Sequence, residues 1–571
     1  MFLRPFSFHE FLSRNGHIGQ IYEALAKDDL SESVTAALHV LKKTQNIPPW
    51  VREQKYEKKS TEQRKKGNLA LERGKYQIAL MCYNHAMLLA PNNSEALVLA
   101  ISNRSFLLQK LKAFKASLKD IETCFSMDCP SSVINKLKQR RKEVQAKAQN
   151  ESIFTKVFKQ CGEENFTCTP NHSEIPCATT DIKAVGSAFP KIVAADDIRV
   201  GSILASEKAF VSYTVPQNYL FSCHFCQKMS LNLIPCDNCC LALFCDEKCK
   251  KQCYDEFHKY ECFIVDFVKE ICFGPIPNLM VKAAMKIRSK CKSWSDLITV
   301  SKKMGLERIK SSSIKEVYDN ESTFSALSIK DDRPFVYNIK YDASYVCASI
   351  IHHLHEVPSF FPTDAKEKEL AVKAFGRIMM FLFIYIVPQK LFQVMTYLKT
   401  DRTNYNEEPN YAYFSFIGKL NNSCSPNVVT CCVNNQLTLL AIQGIKSGEE
   451  ITIPYQQHWL EVMFKRHERN VEIFMHHGTV CNCSLCRGYD CKQQLSKSQK
   501  KFYKKINFQW IDKNLASITI SPIYKTLLEA LDVLKDVPLT QEYKEIYYRF
   551  NRCKLLYESC LSDNFKLDTL I

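Results

Sequence analysis

Four closely spaced pairs of metal-binding side chains stand together in the middle of this sequence: Cys223 and Cys226, Cys236 and Cys239, Cys245 and Cys249, His258 and Cys262. Thiolate and imidazole are the donors zinc takes in closed tetrahedral sites, and these eight ligands suffice for two ions. No carboxylate-plus-water position accompanies them, so the sites read as structural, and metal binding is expected to supply folding energy to the segment. A second cluster, Cys481, Cys483 and Cys486, offers only three thiolates. Its fourth ligand must come from a distant segment, and Cys424 in the polar loop "NNSCSPN" is the candidate. Three ions are expected in all.

Cysteine usage is high, with 27 in 571 residues. The first residues, "MFLRPFSFHEFLSRNG", carry Arg4 and Glu10 and lack the apolar core of a secretory signal. The longest apolar run, Ile378 to Val387, spans about half a membrane and stops at Pro388, so it reads as a buried helix. No membrane partner is expected. A reducing, intracellular setting follows, in which clustered cysteines mean zinc rather than disulfides. The net charge of +17 suits acidic partners. Nucleic acid is allowed by that charge but ranks behind protein, because no long basic block stands out. The length implies three or four domains at roughly 100–200 residues each.

The elements that must position these ligands follow from periodicity. Residues 1–60 read as helical. In "KKGNLALERGKYQIALMCYNHAMLLAPN", Gly67, Gly74, Tyr76, Ala79, Tyr83, Ala86 and Pro91 are spaced as in a tetratricopeptide repeat, small residues falling where two helices touch. "NRSFLLQKLKAFKASLKDIETCF" repeats the pattern, with Phe114 for Tyr76 and Ser117 for Ala79. Two units are few, so neighbouring helices should cap them. Residues 160–180 read as a linker. "KIVAADDIRVGSILASEKAFVS" reads as two strands joined by a short turn, residues 265–400 as mainly helical, and residues 428–455 as strands with turns at "VNNQ" and "KSGEE". The last 70 or so residues read as helical again.

The central spacing resembles the MYND zinc finger. That resemblance implies that pairs alternate: Cys223, Cys226, Cys245 and Cys249 on one ion, Cys236, Cys239, His258 and Cys262 on the other. Cys240 competes with Cys239, which is favoured by its spacing to Cys245. The stretch from Cys249 to His258 is one residue longer than in the usual finger, with Cys253 inside it. "KLNNSCSPNVVT", "LTLLAIQGIKSGEEITIPY" and "CNCSLC" resemble the second half of a SET domain with its post-SET cysteines, and "KIVAADDIRVGSILASEKAFVS" its first strands. The whole layout resembles the SET-and-MYND family, in its tetratricopeptide-bearing branch. "YVCASIIHHLHEVPSFF" is similar to that family's helical stretch after the finger.

The resemblance implies an α+β fold: a SET β-fold split by the finger, between a helical-repeat N-terminal region and a helical C-terminal region. The expected segments are an N-terminal helical part (1–60), repeats (61–150), first SET part (180–222), finger (223–262), helical insert (263–400), C-terminal SET core (401–456), post-SET segment (457–490) and C-terminal helices (491–571). It implies a protein-lysine methyltransferase using S-adenosylmethionine, acting on protein substrates in nucleus and cytoplasm, with the finger and repeats docking partner proteins. Tyr455 would be the active-site tyrosine that lines the methyl-transfer pore. Asn421, Asn422, Tyr455, Pro190 and Lys191 would border the cofactor. Asn422 stands where the family has histidine, and "FPKIVAA", with Phe189, Pro190 and Lys191, stands where it has a glycine-rich turn. His477 and Thr479 replace aromatics. These departures define the alternative: a catalytically degenerate scaffold that recruits partners in transcription or chromatin regulation.

Overall fold

The computed structural model describes residues 18–26, 30–149, 168–186, 190–271, 274–304, 313–328, 339–386, 391–394, 410–433, 435–455, 466–477, 480–487, 493–514, 520–538 and 540–561. Phe189 and Thr479 lie outside the described residues. Two short helices, α1 (Ile18–Ala26) and α2 (Leu30–Lys43), open the described chain. Residues 45–56 are not helical, against the sequence expectation. Pro48 and Pro49 lack the N–H a helix needs, and this strap is held by distant groups instead. Arg52 donates to the Asn238 carbonyl (3.3 Å), Lys55 to the Leu88 carbonyl (2.7 Å) and the Glu53 N–H to Asp266 (2.9 Å).

Helices α3 (Glu57–Glu72), α4 (Tyr76–Leu89), α5 (Glu95–Lys110), α6 (Phe114–Phe125) and α7 (Ser131–Gln149) then pack in succession. Gly67 is fixed by close approach: a Cβ there would stand 2.6 Å from the ring of Tyr83. The Tyr83 hydroxyl donates to Asn68 at 3.0 Å, locking α4 on α3. Ser94 caps α5 by accepting the Leu97 N–H. Helix α7 packs on α6 and α5 at one end of this series. The N-terminal α2 instead buries Val34, Ala37 and Leu41 against two later helices, α10 (Ile339–Leu354) and α11 (Ala365–Phe381).

The strands form several small sheets. β1 (Ile182–Val185) pairs antiparallel with β2 (Lys191–Ala194). β3 (Ile203–Lys208) does not pair with β2, although the sequence joins them by a short turn; it borders β11 (Gln436–Ala441), which pairs with β10 (Val428–Val433). β4 (Val211–Tyr213) pairs with β8 (Asn410–Tyr413), and β8 with β7 (Leu391–Val394). β5 (Ile234–Pro235) and β6 (Leu243–Phe244) form a hairpin inside the cysteine-rich segment. Residues 168–180 do not behave as a linker: Ile175, Cys177 and Ala178 are buried, and Ala178 bridges to Ala205.

The pairing that matters most is short and parallel. β9 (Asn421–Asn422) runs beside β12 (Thr452–Ile453), in register Asn421 with Thr452 and Asn422 with Ile453. Asn427 clamps it, donating to the Glu450 carbonyl (2.8 Å) and accepting the Thr452 N–H (2.9 Å). The buried Glu207 carboxylate accepts from Phe416 N–H (2.9 Å) and Ile417 N–H (2.8 Å), fixing the turn that leads into β9. At the C-terminal end, α13 (Ile520–Val533) and α14 (Gln541–Leu561) cover β10, with the Tyr543 hydroxyl on the Ile442 carbonyl at 2.8 Å. Among the described residues no helix is long and apolar enough to cross a membrane, and Ile378–Ile386 is wholly buried in the helical insert. The architecture is α+β, mostly helical, with small sheets and cysteine-rich groups.

Candidate functional site

Three groups of four ligand atoms converge, each within 4.8 Å of one another: Cys223, Cys226, Cys245 and Cys249; Cys236, Cys239, His258 and Cys262; Cys424, Cys481, Cys483 and Cys486. The separations have chemical meaning. Cys226 and Cys245 sulfurs are 3.7 Å apart, Cys236 and Cys262 3.7 Å, Cys424 and Cys486 3.6 Å. A disulfide needs about 2.05 Å. Two thiolates on one tetrahedral zinc, each about 2.3 Å from it, stand about 3.8 Å apart. The donor sets and spacings therefore fit zinc.

Local structure produces this geometry. Asp246 caps the helix α8 (Glu247–Cys253) by accepting the Cys249 N–H at 2.7 Å, which sets Cys249 on the first turn. A π-helical turn, Tyr254–His258, follows directly. A π turn holds one residue more than an α turn, and it takes up the extra residue between Cys249 and His258. His258 Nε2 thereby lies 3.4 Å from Cys236 and 3.7 Å from Cys239. Cys240 faces elsewhere, its thiol on the Glu53 carbonyl at 3.6 Å. Cys253 is buried close to His224 and His258.

Sequence reasoning missed the carboxylate behind the histidine. Glu261 accepts from His258 Nδ1 at 2.7 Å and from His224 Nε2 at 2.9 Å. Burial alone would raise the Glu261 carboxyl, but His224, Lys282 and His258 hold it well below the usual range. A charged acceptor at Nδ1 fixes the tautomer that leaves Nε2 free for a metal. The signal available was a glutamate three residues after the ligand histidine. Lys282 and Lys286, on α9 (Pro275–Lys290), extend the tie, donating to the Ser212 and Phe210 carbonyls at 2.9 and 2.8 Å.

Asn421, Pro190 and Lys191 do meet. They line one cleft of about 140 Å³ with Ile192, Lys419, Leu420, Glu450 and Ile451. Glu450 was not expected there. It accepts from the Asn421 amide and pairs with Lys191 at 3.4 Å. Asn422 and Tyr455 stand beside the cleft rather than among its lining residues. The Tyr455 N–H donates to Asn422 Oδ1 at 2.9 Å, and its hydroxyl donates to the Leu420 carbonyl at 2.9 Å. Burial, with Cys481 and Glu450 nearby, raises the Tyr455 hydroxyl above its ordinary pKa, so it stays protonated. Tyr455 also packs against the cluster of Cys424, Ile473, Cys481 and Cys486. The third thiolate group and the tyrosine are thus one packed unit.

No family model matches the chain. Among curated proteins it is similar to Protein-lysine N-methyltransferase SMYD4 of Danio rerio, 23% identical over 275 positions, covering 43% of this chain and 35% of that protein. Human SMYD4 is 20% identical over 541 positions, covering 74% of the chain and 66% of that protein. Human N-lysine methyltransferase SMYD2 is 22% identical over 294 positions, covering 51% and 56%. The chain is thus similar to SET-and-MYND proteins, SMYD4 and SMYD2 among them. It spans between about a third and two thirds of the length of these relatives. All three are named as lysine methyltransferases.

An unforeseen joint stands beside the cysteine-rich segment. Arg104, 1% exposed, makes two 2.8 Å bonds to Asp120, one of 2.8 Å to Asn84 and one of 2.7 Å to the Leu233 carbonyl in the cysteine-rich segment. Asn84 donates to the Leu220 carbonyl and Asn232 to Asp120. Helices α4, α5 and α6 are bolted to the segment carrying Leu220, Asn232 and Leu233 through one satisfied buried network. His477 lies on α12 (Arg466–His477), whose Arg469 reaches the Cys486 sulfur at 3.7 Å.

Proposed function

We propose that this chain is an S-adenosylmethionine-dependent protein-lysine methyltransferase, with structural zinc at the three thiolate groups. The observation that carries the reading is the β9–β12 crossing, which puts Asn421 in the cleft and Tyr455 against it. S-adenosylmethionine supplies an electrophilic methyl on a sulfonium that leaves without acid assistance. The cleft offers groups suited to that donor's charged end: the Lys191 ammonium for a carboxylate, the Glu450 carboxylate for an ammonium, and the Asn421 amide. The Lys191–Glu450 pair must part for this. Lys191 is 63% exposed at the side chain, and pairs in water are worth about 0–1 kcal/mol, so parting costs little.

The acceptor lysine must lose a proton against a solution pKa of about 10.4. Tyr455 is not the base, because its hydroxyl is itself protonated and committed to Leu420. Its role is to orient the amine and to shield it from water, which lowers the amine's pKa by desolvation. The finger and repeats would dock protein partners, and nucleus and cytoplasm are the compartments where such substrates and reduced thiolates coexist.

A second reading has its own observation. Glu450 already takes the Asn421 donor, and Asn422 replaces the family histidine, with Nδ2 lacking a partner among the described residues. A scaffold that has lost turnover would keep the zinc sites and the Arg104 joint. Transfer of labelled methyl from S-adenosylmethionine to lysines of a protein extract separates the two. The enzyme reading expects incorporation that Tyr455→Phe cuts at least tenfold with cofactor affinity little changed. No incorporation by the wild type leaves the scaffold reading.

A further inference from the structure

A further group of possible ligand side chains stands away from the thiolates, at the C-terminal end of α10. His352 and His353 lie on the last turn of the helix, and Glu356 follows in the turn just beyond it, its N–H donating to the His353 carbonyl at 3.1 Å. One ligand atom from each of the three lies within 4.8 Å of the others. The His352 and His353 rings cross edge-on with centroids 5.1 Å apart.

His353 is the informative residue. It is 6% exposed and walled by Phe267 and Trp50, with ring centroids 4.1 and 5.3 Å away. Its Nε2 is engaged with the Pro48 carbonyl at 3.3 Å. A carbonyl only accepts, so Nε2 carries the hydrogen and Nδ1 carries a lone pair. That Nδ1 is buried and has no partner among the described residues. A buried acceptor without a partner costs about 1–3 kcal/mol, and the usual native arrangement of a ligating histidine is this one: one ring nitrogen tied to a carbonyl, the other on a metal.

The surroundings carry mixed charge. Burial lowers the pKa of both His352 and His353. Lys42 on α2 opposes a cation at this end, and Glu356 offsets it. The carbonyls that end α10 also favour positive charge.

We propose that His352, His353 and Glu356 form a fourth metal site, of two imidazoles and one carboxylate, that takes a divalent first-row ion such as Zn²⁺ with one position open to water. That donor set is the open, nitrogen-and-oxygen kind, unlike the closed thiolate groups. An ion there holds His353 in the tautomer that grips Pro48. It therefore fastens the 45–56 strap, whose Glu53 carbonyl touches Cys240 beside the finger.

Cobalt titration of the full-length protein tests this. Thiolate-bound Co²⁺ shows strong charge-transfer absorption, whereas a nitrogen-and-oxygen site shows ligand-field bands alone, so the two classes are counted separately. The expected result is one equivalent bound without thiolate charge transfer, displaced by Zn²⁺. It should weaken at least tenfold in Glu356→Gln, an exposed position that leaves the core intact, and vanish in His353→Gln. Uptake only into thiolate sites at tenfold excess of cobalt overturns the proposal. So does a nitrogen-and-oxygen equivalent that Glu356→Gln and His352→Gln both retain at wild-type affinity.

Discussion

The side-chain oxygen of Asn422 accepts the backbone N–H of Tyr455 at 2.9 Å. The residue that stands where the resembled pattern has histidine is therefore the one that holds the main chain of Tyr455, the proposed pore tyrosine. Asparagine keeps the acceptor, while its Nδ2 has no partner among the described residues. Asn422→His should tighten S-adenosylmethionine binding by roughly two- to tenfold, the worth of one polar contact of about 0.5–1.5 kcal/mol. Calorimetric affinities of the two proteins check this, and equal or weaker binding by the variant contradicts it.

Cys424 is the remote member of the third thiolate group. Cys424→Ser should release one zinc equivalent and loosen the segment from Arg466 to Arg487, leaving the other two ligand groups filled. Metal analysis after desalting reads the loss. Unchanged metal content would remove Cys424 from the ligand set.

Gly67 faces the Tyr83 ring where a Cβ would stand 2.6 Å away. Gly67→Ala should destabilise the α3–α4 hairpin by about 1–3 kcal/mol, the usual cost of overpacking, although alanine favours helix. Thermal unfolding is the check, and a variant as stable as the wild type would mean that the hairpin yields freely.

Lys419 is fully buried, donating to the Val317, Ser325 and Ser415 carbonyls. Burial pushes its pKa down to about 7, against the pull of Glu207 and Cys177. Below that value both folded and unfolded chains hold the proton and the cost of the buried charge is full. Between about pH 7 and the ordinary value near 10.4, only the unfolded chain holds it, so the cost is relieved as pH rises. Denaturant unfolding of wild type against Lys419→Met should show a gap that shifts in favour of the wild type between pH 7 and 9. A pH-independent gap would contradict this.

The thiolate groups were legible because ligand chemistry leaves short-range spacing: paired cysteines a few residues apart mean a metal whatever the fold. The Gly67–Tyr83 contact was legible for a similar reason, since adjacent helices impose a period. The Arg104 network was not. Asn84, Asp120 and Leu233 come from separate elements and meet only through packing. Glu450 read as a turn residue in "KSGEE", and only the parallel β9–β12 register brings it to Asn421. The strap at 45–56 read as helical because its charges are mixed, although Pro48 and Pro49 argued otherwise. Residues 168–180 read as a linker because polar residues surround the few that are buried, Ile175 and Cys177 among them.

The proposed function stands on the cleft between β2 and β9 as the seat of S-adenosylmethionine. Titration calorimetry of the zinc-loaded protein with S-adenosylmethionine tests it most directly. Binding with a stoichiometry near one is expected, weakened by Asn421→Ala and by Lys191→Ala. No heat from the wild type and from Asn422→His, even at millimolar donor, would contradict it.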